Sequence, residues 1–242
     1  MRRFLSALSL ILVLLVCCAC RQETISGQEN FDLTDIQAGD QEKSNLVDPN
    51  PVPSDSSPNS VDAFFVIFER QKQEDELLKG VFTKENCYDV TPPQIASMSN
   101  LQIFKFSDSC ASFVLMDETV YPICGYFGGY GFVNAVPCDF DGDGNLDLLV
   151  SSSWGSGLHR SILSVCNTKT KESTVIYDTS DTDRPQVDLI VTIDETGVYG
   201  VSSVKISPIN NNYADLSYEV IAQVGTIEVV EGEAVFQPLT KP

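Results

Sequence analysis

From Leu101 to the C-terminus the chain breaks into short runs of alternating apolar and polar residues, and nothing else restricts its fold as much. Leu101–Ser107, Ser112–Met116, Thr119–Cys124 and Phe132–Cys138 open the series. Leu146–Ser153, Ser161–Cys166, Ser173–Tyr177 and Asp188–Asp194 continue it, and Val198–Ile206, Leu216–Val224, Thr226–Val230 and Ala234–Phe236 complete it. A period of two sends successive side chains to opposite faces of a sheet, and the intervening Asp, Ser, Gly and Pro supply turns. Glu231-Gly232 reads as a tight hairpin turn. Short strands at regular spacing predict a mainly β, antiparallel domain: a sandwich, a barrel or a partial propeller. One short N-terminal helix is expected, from Val61 to Lys79, because Phe64, Phe65 and Phe68 share a face and Gly80 offers a stop.

The most specific chemistry lies in Asp139-Phe140-Asp141-Gly142-Asp143-Gly144-Asn145-Leu146-Asp147. Carboxylates on alternate residues converge when a short chain coils, and Ca²⁺ takes six to eight oxygen ligands in flexible geometry. Asp139, Asp141, Asp143 and Asp147 occupy loop positions 1, 3, 5 and 9, and Asn145 at position 7 offers a backbone carbonyl. Gly144 stands where an EF-hand loop turns sharply, but position 12 is Val150 instead of Glu. The loop runs into a strand pattern, Leu148-Leu149-Val150, with no flanking helix. It is not an EF-hand. Four carboxylates so close repel one another unless a cation neutralises them.

Phe127-Gly128-Gly129, the Asp139–Asp147 loop and the apolar Leu148-Leu149-Val150 together resemble an FG-GAP repeat. That family is the Ca²⁺-binding unit of integrin α-subunit propellers and of many bacterial surface proteins. The resemblance covers residues 127–153; where the family closes with Gly-Ala-Pro, Ser152-Ser153-Trp154 stands. It implies a structural Ca²⁺ held in a β-hairpin by Asp139, Asp141, Asp143, Asn145 and Asp147. Only one copy occurs.

Met1-Arg2-Arg3 is a basic start, and Phe4 to Val16 is apolar apart from Ser6 and Ser9. This run falls short of the roughly 20 residues a membrane-spanning helix needs. It ends in Val16-Cys17-Cys18-Ala19-Cys20, which resembles a bacterial lipoprotein signal. The resemblance implies a leader over 1–19, lipid on Cys20, and a place on the extracytoplasmic face of a bacterial membrane. Cys17 stands three residues before Cys20 where the pattern usually has Leu; Cys18, with Leu15 three before it, is the alternative. Acyl chains on Cys20 would supply the membrane attachment. Residues 20–60, rich in Gln, Asp, Ser, Asn and Pro, read as a disordered tether spanning roughly 35 Å as a random coil. The β-rich domain is expected over 61–242.

The chain carries 34 acidic and 15 basic side chains, a net charge of −19. Without Arg2 and Arg3 the imbalance grows. Such a surface offers phosphates no basic stripe, which excludes nucleic acid as partner. A surface protein or polysaccharide is the expected partner. Cys87, Cys110, Cys124, Cys138 and Cys166 follow the leader region, an odd number that leaves disulfides and buried thiols both open. With no Cys-x-x-Cys among them and His159 the only histidine, a zinc site is not expected. Trp154, His159 and Arg160 gather in the glycine-containing stretch after the acidic loop's strand, a possible ligand loop. No nucleophile elbow, His-Glu-x-x-His or phosphate loop is present. The reading is therefore a non-enzymatic binding or surface-display module. The alternative is an extracytoplasmic hydrolase working through carboxylates such as Asp117 and Glu118, with Ca²⁺ purely structural.

Overall fold

A computed structural model describes residues 58–73, 78, 80–124, 128–155, 159–181 and 187–239. The leader, Cys20 and most of the tether lie outside them. The fold is mainly β, in three antiparallel four-stranded sheets. Each sheet is a meander whose strands pair in chain order, so every hydrogen-bonded neighbour is also a sequence neighbour. The first comprises β1 (Cys87–Asp89), β2 (Gln102–Phe106), β3 (Ser112–Met116) and β4 (Thr119–Pro122). The middle sheet holds β5 (Gly131–Cys138), β6 (Asp147–Trp154), β7 (Arg160–Asn167) and β8 (Glu172–Asp178). The third holds β9 (Asp188–Ile193), β10 (Tyr199–Ile209), β11 (Asn212–Val230) and β12 (Glu233–Pro238). None closes on itself, so the barrel alternative gives way to a sandwich arrangement.

Alternation assigns each strand's side chains to two cores. In β6, Leu148 and Val150 join Ile103 and Val114 of the first sheet and Ile123 just after β4, while Leu149 joins Leu189, Val191 and Val201 of the third. The middle sheet is thus covered on both faces, and β5 is buried along its whole length. The outer face of the first sheet is covered by helix α1 (Pro58–Lys72), whose Phe64 and Phe68 are fully buried. Phe64 stacks on Phe104 at 4.1 Å between centroids, and Phe68 meets Phe113 edge-on at 5.2 Å. α1 begins three residues before the expected boundary and ends at Lys72, not at Lys79. Gln71 accounts for part of its placement: its amide donates to the Val120 carbonyl and accepts from the Val120 N–H, covering the open edge of β4.

The same device docks the third sheet. Asn134 exchanges two hydrogen bonds with Val191, and Ser151 and Ser161 satisfy the carbonyl and N–H of Leu189. These polar residues lie inside otherwise apolar strands because the free backbone edge of β9 needs partners once buried.

Candidate metal centre

The acidic loop joins β5 to β6. Gly142 and Gly144 take positive φ of 71° and 78°, which curls the chain so that successive side chains face inward. Carboxylate oxygens of Asp139, Asp141 and Asp143 lie within 4.8 Å of one another, and this triad could hold a metal ion. The curl is held by carboxylates accepting from backbone N–H groups two to five residues on: Asp143 to Asp141 at 3.1 Å, Asn145 to Asp143 at 2.8 Å, Gly144 to Asp139 at 3.1 Å. The hydrogen bonds from Asn145, followed by those of Lys169, hold the Asp143 carboxyl below its ordinary range.

The other two expected ligands are placed differently. Asn145 turns its side-chain amide onto Asp143 at 2.6 Å. Asp147 is buried at the start of β6, 2 % exposed, where its Oδ1 accepts from the Thr168 N–H at 3.1 Å. Burial raises its pKa, the Thr168 bond opposes that, and the charges of Asp141, Asp143 and Asp139 raise it further. Asp147 is therefore near enough to feel the triad without belonging to it.

The turn between β7 and β8 contributes residues that the sequence did not single out. Asn167 donates to Asp141 at 3.1 Å, and the Lys169 ammonium reaches Asp143 at 3.2 Å. Leu148 pairs with Cys166 across β6 and β7, so the residues after Asn167 must pass beside the loop. Only the strand register reveals this. A cleft of about 340 Å³ runs alongside, lined by Met116, Asp117, Asn145, Leu146, Lys169 and Lys171 among others.

Trp154, His159 and Arg160 lie at the opposite end of β6 and are not gathered into one site. Trp154 pairs with Arg160 across β6 and β7, with the guanidinium 5.9 Å from the indole. Ser153 pairs with Ser161, which faces β9, so alternation places Trp154 and Arg160 on the other face. His159 instead meets the edge of Tyr130 at 4.7 Å. Phe127 and residues 156–158 lie outside the described residues. All five described cysteines are free thiols; burial raises the pKa of each. Compared with known proteins, the chain matches no family model, no curated protein and no solved structure.

Proposed function

We propose that this chain is an exported, lipid-anchored surface protein whose β-domain is braced by Ca²⁺ and serves binding or display, not catalysis. The observation that carries the metal half is the convergence of three aspartate carboxylates within 4.8 Å at a loop between strands of the central sheet. Hard oxygen donors with no nitrogen or sulfur among them suit Ca²⁺ or Mg²⁺, and a flexible surface loop suits the larger ion. Asp139, Asp141 and Asp143 would hold it; Asn145 and Asp147, turned to Asp143 and to Thr168 in this structure, would complete the set only by shifting toward the ion. The anchor rests on the basic start, the short apolar run and Ala19-Cys20.

Thermal unfolding with and without millimolar Ca²⁺, beside an Asp141→Ala/Asp143→Ala variant, tests the metal half. At a hundredfold excess over Kd the ion contributes about 2.7 kcal/mol, a rise of roughly 5–10 °C for a domain of this size. The variant should show none. Equal curves in wild type with and without Ca²⁺ would reduce the loop to an acidic turn. Mass spectrometry of the mature N-terminus tests the anchor: an unmodified terminus beyond Cys20 would remove it.

A further inference from the structure

The cleft beside the acidic loop carries a charge pattern of its own. At about 340 Å³ it falls within the range of roughly 300–1,000 Å³ that small-molecule sites occupy. Met116 and Asp117, at the turn between β3 and β4, line it from the first sheet. Leu146 of the loop and Thr168, Lys169 and Lys171 of the turn between β7 and β8 line it from the middle sheet. Two lysines thus stand with one lining carboxylate, in a chain where acidic side chains outnumber basic ones 34 to 15. Asp117 accepts from the Asn100 amide through Oδ1 at 3.1 Å, which leaves Oδ2 for a donor in the cleft.

The turn that brings both lysines here is tied to the loop. Asn167 Oδ1 accepts from the N–H groups of Lys169 at 3.1 Å and Thr170 at 2.9 Å, while its amide donates to Asp141. Thr168 donates from its hydroxyl to the Leu146 carbonyl and from its N–H to Asp147. Lys171 is fixed through its N–H, which donates to the Asn167 carbonyl at 2.8 Å, and its ammonium makes no ion pair among the described residues. Lys169 instead sets its ammonium against Asp143 at 3.2 Å. A cation in the loop competes with Lys169 for that carboxylate, and the displaced ammonium belongs to a residue that already lines the cleft. Without such a cation, the three loop carboxylates and Asp117 outnumber the two ammonium groups and repel an anion; a divalent ion cancels two of those charges.

We propose, resting on the Ca²⁺ reading above, that this cleft is a Ca²⁺-dependent site for a carboxylate-bearing sugar, the uronate unit of an acidic polysaccharide. The sugar's carboxylate lies between Lys169 and Lys171, in charge-assisted hydrogen bonds. Its hydroxyls donate to Asp117 and to the Thr168 oxygen, and its ring carbons lie against Met116 and Leu146. A ligand that joins one carboxylate to several O–H donors matches two lysines and an aspartate. An acidic peptide offers the carboxylate without those donors and meets repulsion from Asp117. Because Ca²⁺ and the sugar both draw on Lys169, each tightens the other by the same factor.

The test is calorimetric titration of digalacturonate into the full chain in non-ionic detergent, with millimolar Ca²⁺ and with a chelator, beside thermal unfolding in Ca²⁺ alone. Wild type should bind the disaccharide saturably with Ca²⁺ and roughly tenfold more weakly without it. Lys171→Gln, at an exposed turn position whose side chain holds no loop residue, should weaken the sugar several-fold and leave the Ca²⁺-dependent rise in melting temperature unchanged. Neutral galactobiose should not bind. A melting-temperature rise in Ca²⁺ without saturable sugar binding overturns the cleft proposal and leaves the metal reading standing; neither rise nor binding removes both. The proposal is also overturned by an affinity that is unchanged in Lys171→Gln, in chelator or for galactobiose. A glutamate dipeptide bound as tightly as the disaccharide would overturn the choice of sugar in favour of an acidic peptide.

Discussion

Lys105 carries its ammonium into the interface between the first and middle sheets, where it is 1 % exposed and donates to the Phe132 carbonyl at 2.8 Å. No carboxylate among the described residues meets it, and burial pulls its pKa from 10.5 to about 8, with the nearby thiols of Cys110 and Cys124 opposing. A gap of this size corresponds to roughly 3 kcal/mol of destabilisation while the lysine is charged in both states. The folded chain sheds this proton near pH 8 and the unfolded chain near 10.5, so the penalty fades as pH rises between them. Wild type alone would mask this, because the buried thiols have raised pKa values and act in the opposite direction above about pH 8.5. Lys105→Met isolates it. Allowing about 1 kcal/mol for the orphaned Phe132 carbonyl, the variant should be more stable than wild type by about 2 kcal/mol at pH 7. Urea unfolding should show that advantage vanish by pH 10; a pH-independent difference would refute the account. Lys169 poses the reverse case. Its ammonium occupies Asp143 from a side chain 66 % exposed, so solvent screens the pair and it adds little to stability, yet any metal must displace it. Lys169→Gln should tighten Ca²⁺ binding several-fold by titration calorimetry; weaker binding would show that Lys169 supports the loop instead of competing.

At the scale of elements, period-two alternation made the strands readable, because each buries one or both faces against a neighbour. The exceptions have physical causes. β1 has three residues, too few to show a period, and α2 (Pro93–Met98) starts at a proline pair that reads as a turn. Leu216–Val224 and Thr226–Val230 are one strand, β11, because Gly225 is not a break: a Cβ there would lie 2.3 Å from the Phe236 ring, so the glycine admits a side chain of the neighbouring strand β12. The aspartate triad was legible because its geometry is local. Asn167 and Lys169 were not, since only strand register brings them beside the loop. Two glycines separate conformational from steric demands. Gly142 has positive φ with nothing within 4 Å of a Cβ, so Gly142→Ala should cost about 1 kcal/mol. Gly131 adds the Cys110 carbonyl oxygen at 2.0 Å, and Gly131→Ala should cost about 3 kcal/mol or more. Denaturation of the two variants compares them directly, and equal losses would refute the packing argument.

At the scale of the whole molecule, the acidic loop leads into a strand shared by two cores. The loop enters β6 at Asp147. β6 contributes to both neighbouring cores, through Leu148 and Val150 on one side and Leu149 on the other. A cation that relieves repulsion among Asp139, Asp141 and Asp143 therefore fixes the entry to the strand least able to open alone. Opening β6 would break the pairing of β5 and β7 and strip the polar partners from β9. Binding free energy should then appear as global stability, not as local ordering. Hydrogen exchange under conditions where core amides exchange by whole-molecule unfolding distinguishes the two. With Ca²⁺, amides of β6 and of β10 in the third sheet should gain the same increment, near 2.7 kcal/mol at a hundredfold excess over Kd. Protection confined to Gly142–Asn145 and the Asn167–Lys171 turn would make the ion a clamp on a surface loop. In that case the three sheets would owe their cohesion to side-chain packing and the docked β9 edge alone.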